Sequence, residues 1–369
     1  MTMRVLVTDG IMVKSLAVVR SIAGRVGEIG VVSDYPISLA GTSRHATRSH
    51  HIPLDPETYV RDLNDVIETY GYDHLVPVGG RTTELLAAHQ DDVDVPVDRV
   101  LPSAESMSIA QDKLETYRLA TRLDVPVPRT IRPDSLEDLE ARFEFGFPAI
   151  VKTPTESAPR FISRVRSASE LHDAYLTYRT DHGTAPLVQE HVPGEGCGFF
   201  ALYLDGECAG SYSHRRIREY PPSGGASACA ESHVDEEMDE YGRAILDELD
   251  WNGVAMVEFK RDAEGTPRLI EVNPKFWGSL DLAIHSGMTF PAALLDHASR
   301  GIEPDFSFEP SRVHWPLSGD LHHAVSRPAT ASEVIGDLLS PETRSNLSSD
   351  DPLPHLVELG KTILSPYLG

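Results

Sequence analysis

Residues Val254 to Leu280, VAMVEFKRDAEGTPRLIEVNPKFWGSL, restrict the fold more than any other stretch of this chain. Val254 to Lys260 is rich in β-branched and aromatic residues, Asp262 to Pro267 is turn chemistry, and Arg268 to Asn273 is apolar again, so the segment predicts two strands joined by a turn. A two-residue turn centred on Glu264 and Gly265 sets Glu258 opposite Glu271, and the period of two along a strand places Asn273 on their face. Like charges directly opposed destabilise a hairpin, which makes sense of two carboxylates and an amide oxygen if a hard cation sits between them. The same spacing also fits two glutamates that simply face solvent. The residues that follow separate the two readings.

Glu271-Val-Asn-Pro-Lys275, continuing into Phe-Trp-Gly-Ser-Leu, resembles the metal-binding signature of the ATP-grasp superfamily. That family includes D-alanine–D-alanine ligase, biotin carboxylase and the large subunit of carbamoyl phosphate synthetase. The resemblance implies that Glu258, Glu271 and Asn273 hold Mg²⁺ (or Mn²⁺) against ATP. The family usually has Arg after the proline, where this chain has Lys275, which keeps the charge but not the bidentate fork. Lys275 is the expected catalytic cation beside the transferred group.

Upstream, Arg4–Thr8, Val13–Ala23, Ile29–Ser33, Tyr59–Tyr70 and His74–Val78 alternate as strand and helix, which predicts a βαβαβ unit with a parallel sheet. Asp9-Gly10-Ile11-Met12 lacks GxGxxG, so the fold is Rossmann-like without a dinucleotide fingerprint. Residues 40–53, with His45, His50 and His51, read as a surface loop, and Gly79-Gly80-Arg81-Thr82 stands where this domain would contribute to an acceptor site. A new unit begins near residue 109. Asp112-Lys113 opens a helix to about Leu123, and Phe147–Lys152 is a strand that ends in lysine.

In the family, lysines in these two contexts hold the phosphates of ATP, which the resemblance assigns to Lys113 and Lys152; a compact ammonium suits phosphate oxygens. The loop that follows, Thr153 to Arg160, has no glycine where relatives carry a glycine-rich loop, and Arg160 or Arg164 is the candidate substitute for the missing backbone donors. Pro186–Val192 is a strand leading to Pro193-Gly194-Glu195-Gly196. The resemblance places adenine contacts at Glu190 and the backbone of Val192, and a ribose contact at Glu195. Phe199–Leu204 and Glu207–His214 form a hairpin across Asp205-Gly206. On a strand His214, Arg216 and Arg218 share one face and would clamp a carboxylate or phosphate of the substrate; the other reading is a charged face balancing nearby acids. Asp235–Leu249 and His285–Arg300 read as helices, with a last short helix near 356–364.

Composition bears on partners. A formal charge of −24, from 57 acidic and 33 basic residues, argues against nucleic acid or an anionic membrane. Only six of the basic residues are Lys, namely Lys14, Lys113, Lys152, Lys260, Lys275 and Lys361. An acidic chain so poor in Lys looks adapted to molar salt, with an ordinary acidic enzyme from an Arg-rich proteome as the alternative. Cys197, Cys208 and Cys229 show no paired or metal-ligand spacing and read as free thiols of a reducing, cytoplasmic compartment. No apolar run approaches the length of a membrane span.

The expectation is a Rossmann-like domain (1–108), two ATP-grasp subdomains (109–188 and 189–304) and a C-terminal extension (305–369), α/β and α+β in class. The resemblance is nearest to carbamoyl-phosphate-synthetase-like carboxylate–amine ligases. It implies that ATP and Mg²⁺ activate a small-molecule carboxylate as an acylphosphate, with ADP released, before an amine or similar nucleophile attacks. A homodimer is left open. The rivals are a non-catalytic ATP-binding module and a carboxylase or carbamate-type phosphotransferase.

Overall fold

The computed structural model describes residues 3–97, 99–155, 162–222 and 224–364, with side chains up to residue 361. The chain opens with strand β1 (Arg4–Val7), helix α1 (Val13–Ile22), β2 (Glu28–Ser33), β3 (Arg48–His51), α2 (Tyr59–Tyr70), β4 (His74–Val76) and α3 (Gly80–Ala88). These strands form a parallel sheet in the order β3-β2-β1-β4. The apolar strands β1 and β2 lie inside it, and the equally apolar β4 closes one edge, with Leu75 and Val76 buried. Strand β3, Arg-Ser-His-His, lies at the edge and largely exposed, and its polar composition is why the sequence reads it as loop.

Helices α4 (Ala104–Gln111) and α5 (Lys113–Arg122) follow. The turn between them is fixed by Asp112, whose carboxylate caps α5 by accepting from the Leu114 and Glu115 amides at 2.8 and 3.2 Å. The second sheet has the order β5-β8-β6-β7. It comprises β5 (Thr130–Ile131), β6 (Ala149–Lys152), β7 (Ile162–Val165) and β8 (Leu187–Glu190), backed by α6 (Leu136–Arg142) and α7 (Ala168–His182).

The third sheet holds seven strands in the order β13-β12-β9-β10-β11-β14-β15. It is built from β9 (Glu195–Leu204), β10 (Glu207–Tyr220), β11 (Ala226–His233), β12 (Gly253–Arg261) and β13 (Pro267–Asn273), with α8 (Glu236–Glu248) inserted before β12 and α9 (Leu280–His285) and α10 (Phe290–Arg300) after β13. One continuous helix over 285–300 is not what forms. Gly287, at φ +84°, breaks it because the backbone of Ser307 packs where a Cβ would stand. The last part of the chain adds β14 (Arg312–His314), α11 (Leu321–Ser326), α12 (Ala331–Leu339), β15 (Thr343–Ser345) and α13 (Leu353–Leu364). Residues after 305 therefore extend the seven-stranded sheet by two strands rather than hanging beside it.

Strand β9 is the axis of this sheet and is apolar on both faces. Phe199, Ala201 and Tyr203 join a core with α5 and α8, while Phe200, Leu202 and Leu204 join a core that is continuous with Val5, Leu6 and Val7 of the first sheet. The second face thus fastens the N-terminal domain to the sheet that carries Glu258. Lys14 adds a polar tie, donating to the Phe276 carbonyl at 2.6 Å. Among the described residues no helix is long and apolar enough to cross a membrane.

Candidate active site

Glu258 on β12 pairs with Glu271 on β13, the register read from the sequence, but by a different route. The turn holds five residues, 262–266, closed by Asp262, which accepts from the Glu264 and Thr266 amides, and it pairs Arg261 with Pro267. A bulge at Ile270 then brings Glu271 back opposite Glu258. Two departures from the ideal hairpin cancel.

Each carboxylate of the pair is held by cations. Glu271 has Lys113 Nζ at 3.3 Å and accepts from Asn273 Nδ2 at 3.0 Å. Burial alone would raise its pKa; Lys113, Lys152, the Asn273 amide and Lys275 override that and hold it at about 2. Glu258 moves up, pushed by burial and by Glu271 against the pull of Arg216, whose Nη2 donates to it at 2.9 Å. Arg216 reaches Glu258 by crossing β9 at Gly196, where a Cβ would stand 2.9 Å from Nη1 and 2.7 Å from Oε1 of Glu219, the second carboxylate on Arg216.

Lys152 is buried and donates to Tyr117 Oη at 2.7 Å; that hydroxyl donates in turn to the Ile270 carbonyl at 2.5 Å. Burial brings the Lys152 ammonium down to about 8 despite Glu271 and Glu258 nearby. Tyr117 thus ties the lysine of one sheet to the bulge of the other. The sequence reading missed it, although its position four residues after Lys113 places both on one face of α5. Gln189 was missed as well. It pairs with Ile150 and so shares the face of Lys152, and Arg164, also opposite Ile150, lies on that face too. Arg160 lies outside the described residues.

Three expected site residues are elsewhere. Arg218 does not share a face with Arg216: a bulge at Ile217 pairs Arg216 with Ala230 and Arg218 with the adjacent Cys229, which reverses the side-chain direction. Arg218 is instead buried, forked onto Asp320 at 2.8 and 3.0 Å and bonded to Asp337 at 2.6 Å. Glu190 pairs with Ala149, on the face away from Lys152, and both its oxygens accept from Arg129. Glu195 opposes Arg261 on the face of β9 away from Glu258, in a pocket lined by Arg215, Glu231, His233 and Met238. Val192 is buried in the link between β8 and β9. His214 lies in the cross-strand row of Glu271, Glu258 and Gly198, buried, with Nδ1 3.4 Å from Ser279 Oγ. Burial first, then Arg216 and His233, keep it neutral, well below the ordinary histidine range.

Asp9, at φ +58°, accepts from the Gly79 amide at 2.7 Å and Thr82 Oγ1 at 2.8 Å, and so fixes the turn into α3. The donor set suits a hard divalent cation: two opposed carboxylates and an amide whose nitrogen is spent on Glu271, which turns its oxygen the other way. A cation entering here competes with Lys113 and Arg216 for the same oxygens.

A parallel N-terminal sheet, an antiparallel four-stranded sheet and a seven-stranded sheet that is antiparallel except for its last pair, with buried lysines on one side and a carboxylate pair on the other, form the setting in which part of the chain matches an ATP-grasp family. The family described as "ATP-grasp in the biosynthetic pathway with Ter operon" matches residues 187–315. The D-alanine–D-alanine ligase of Methylococcus capsulatus is 38% identical over 109 residues, 29% of each chain. Pyruvate carboxylase from Staphylococcus aureus is 21% identical over 241 residues, covering 60% of this chain and 20% of its own length. The match thus spans about three-tenths of that ligase and less of the carboxylase. The structure of biotin carboxylase from Campylobacter jejuni superposes with a TM-score of 0.69 at 17% identity, over 85% of this chain and 75% of the other. The L-amino acid ligase of Bacillus licheniformis gives 0.66 at 15% identity, over 84% and 79%.

Proposed function

We propose that this protein is an ADP-forming carboxylate–amine ligase acting on small molecules. The observation that carries the reading is the convergence of Lys113, Lys152 and Lys275, half of the lysines of a chain with charge −24, on the single carboxylate Glu271. So much positive charge gathered around a cation-type carboxylate pair suits a polyphosphate. Lys113 and Lys152 hold phosphate oxygens, and Arg164 supplies charge where the loop lacks glycine. Val192 offers backbone groups to the base at the link between the sheets. Glu258, Glu271 and Asn273 hold Mg²⁺ (or Mn²⁺), which supplies charge neutralisation on the phosphates. A carboxylate oxygen of the substrate attacks the γ-phosphorus and ADP leaves. The amine then attacks the acyl carbon, phosphate leaves, and the amine sheds a proton. Lys275 and Arg216 steady the charge that moves during transfer. The acidic, lysine-poor surface further supports a cytoplasmic protein adapted to high salt.

The acylphosphate gives the test, because hydroxylamine traps it as a hydroxamate before the natural amine is known. Carboxylate pools with ATP, Mg²⁺ and hydroxylamine at high salt should yield ADP and hydroxamate together, and Lys152→Ala should lose both. ATP binding without hydroxamate from any pool would leave a non-catalytic module. ADP formed from bicarbonate alone would leave the carboxylase reading, which the structural likeness to biotin carboxylase favours.

A further inference from the structure

Helix α12 is amphipathic and inside out. Its buried residue is an acid, Asp337, which accepts from Arg218 at 2.6 Å, Arg312 at 3.3 Å and Thr343 at 3.1 Å. Its apolar stripe, Ile335, Leu338 and Leu339, is 56%, 56% and 77% exposed. The spacing i, i+3, i+4 is the spacing of a core-facing stripe. The inversion has a local cause: the buried Arg218, with the half-buried Arg312 beside it, demands a carboxylate, so the apolar side is turned to the outside. On the preceding helix α11, Leu321 and Val325 are also outward, as is Leu347 just after β15. Strand β15 ends the seven-stranded sheet, with no described strand beyond it.

We propose that this face is the contact surface of a two-fold homodimer. A stripe of this kind left in water is a docking surface rather than ordinary surface scatter. The stripe offers roughly 350 Å² per copy, and Leu321, Val325 and Leu347, exposed on the segments that flank it in sequence, bring the exposed apolar total to roughly 600 Å², against the about 800 Å² that a standard interface takes from each partner. Charge selects a second copy as the occupant. Two chains at −24 repel almost everywhere they meet, yet between residues 321 and 347 the exposed charges balance, Glu333 and Glu342 against Arg327 and Arg344. A two-fold contact must be complementary to itself, and a neutral apolar patch with both signs around it meets that condition. The surface lies apart from Glu258, Glu271 and the lysines, so the proposal does not depend on the catalytic reading.

The test is the mass of the full chain in solution by light scattering and sedimentation at micromolar concentration. The expected result is twice the 40.5 kDa of one chain, with association tighter at about 2 M than at about 0.1 M KCl, because salt screens repulsion and strengthens apolar contact. The double substitution Ile335→Glu, Leu339→Glu should halve the mass with the circular dichroism spectrum of the folded chain unchanged, since both side chains are already outside. As a second readout that leaves the other five apolar side chains in place, Leu339→Cys should give a covalent dimer with a short bis-maleimide where the native sequence gives none. A monomeric native chain, a dimer unmoved by the double substitution, or a Leu339→Cys chain that cross-links no better than the native one would each overturn the proposal.

Discussion

Tyr117 is a small residue-scale device with a measurable consequence. Its hydroxyl has one proton, committed to the Ile270 carbonyl, so its lone pairs are fixed toward the Lys152 ammonium. Burial holds the Lys152 ammonium at about 8, below its ordinary value, so the protonated form that phosphate needs predominates at neutral pH and is lost as pH rises through about 8. ATP affinity measured by calorimetry should therefore be flat at neutral pH and decline above about 8. In Tyr117→Phe the ammonium loses an acceptor, so the decline should begin at lower pH and affinity at pH 7 should fall about tenfold, the size of one hydrogen bond to a charged group. An unchanged pH profile would show that Tyr117 is mere packing. Glu271→Gln addresses the other end of the same network. ADP release should drop by at least about a hundredfold with the circular dichroism spectrum intact, because the side chain holds cations rather than core. Glu271 also makes acid stability testable. Its folded pKa of about 2 lies below the ordinary value, so the stability it contributes is present above pH 4.5 and is lost as pH falls toward 2; the native protein should lose more melting temperature over that range than Glu271→Gln does.

At the scale of elements, the bulges decide which side chains meet. One extra residue at Ile217 sends Arg216 to Glu258 and Arg218 to Asp320 and Asp337, although the two arginines are two positions apart. Their substitutions should therefore separate. Arg218→Leu leaves two buried carboxylates without their main partner and should cost about 3–5 kcal/mol in denaturant unfolding, with ATP binding retained in the fraction that folds. Arg216→Leu should change unfolding less and impair ADP release more. If Arg218→Leu instead unfolded like the native protein and lost turnover, the assignment of the two faces would be reversed.

The whole molecule is governed by charge. A net charge of −24 on one folded chain stores self-repulsion whose range is about 10 Å at 0.1 M salt and about 3 Å at 1 M. The melting temperature should rise by several degrees or more between about 0.1 M and 2 M KCl, and activity should fall below about 0.5 M. A melting temperature that does not move across that interval would favour the ordinary acidic enzyme.

By itself the sequence determined the parallel N-terminal sheet, the Asp112 cap, the hairpin of β9 and β10 and the opposition of Glu258 to Glu271, since each follows from local periodicity, caps or turn residues. Lys113, Lys152, Glu258, Glu271 and Asn273, which the structure brings together, sit in short motifs of fixed order, which is why the sequence singles them out. Only the tertiary structure decided what these groups face. Strand β3 is polar and largely exposed at its edge of the sheet, so no apolar pattern marks it. The parity of β8 turned Glu190 toward Arg129 and Gln189 toward the face of Lys152, and the bulges at Ile217 and Ile270 shifted side-chain direction by one residue. A bulge is set by the neighbouring strand's register, which no local window contains. Helix α12 carries a stripe with the spacing of a core helix, yet it is not one. It became a surface helix because Arg218 and Arg312, distant in sequence, claim its one buried acid.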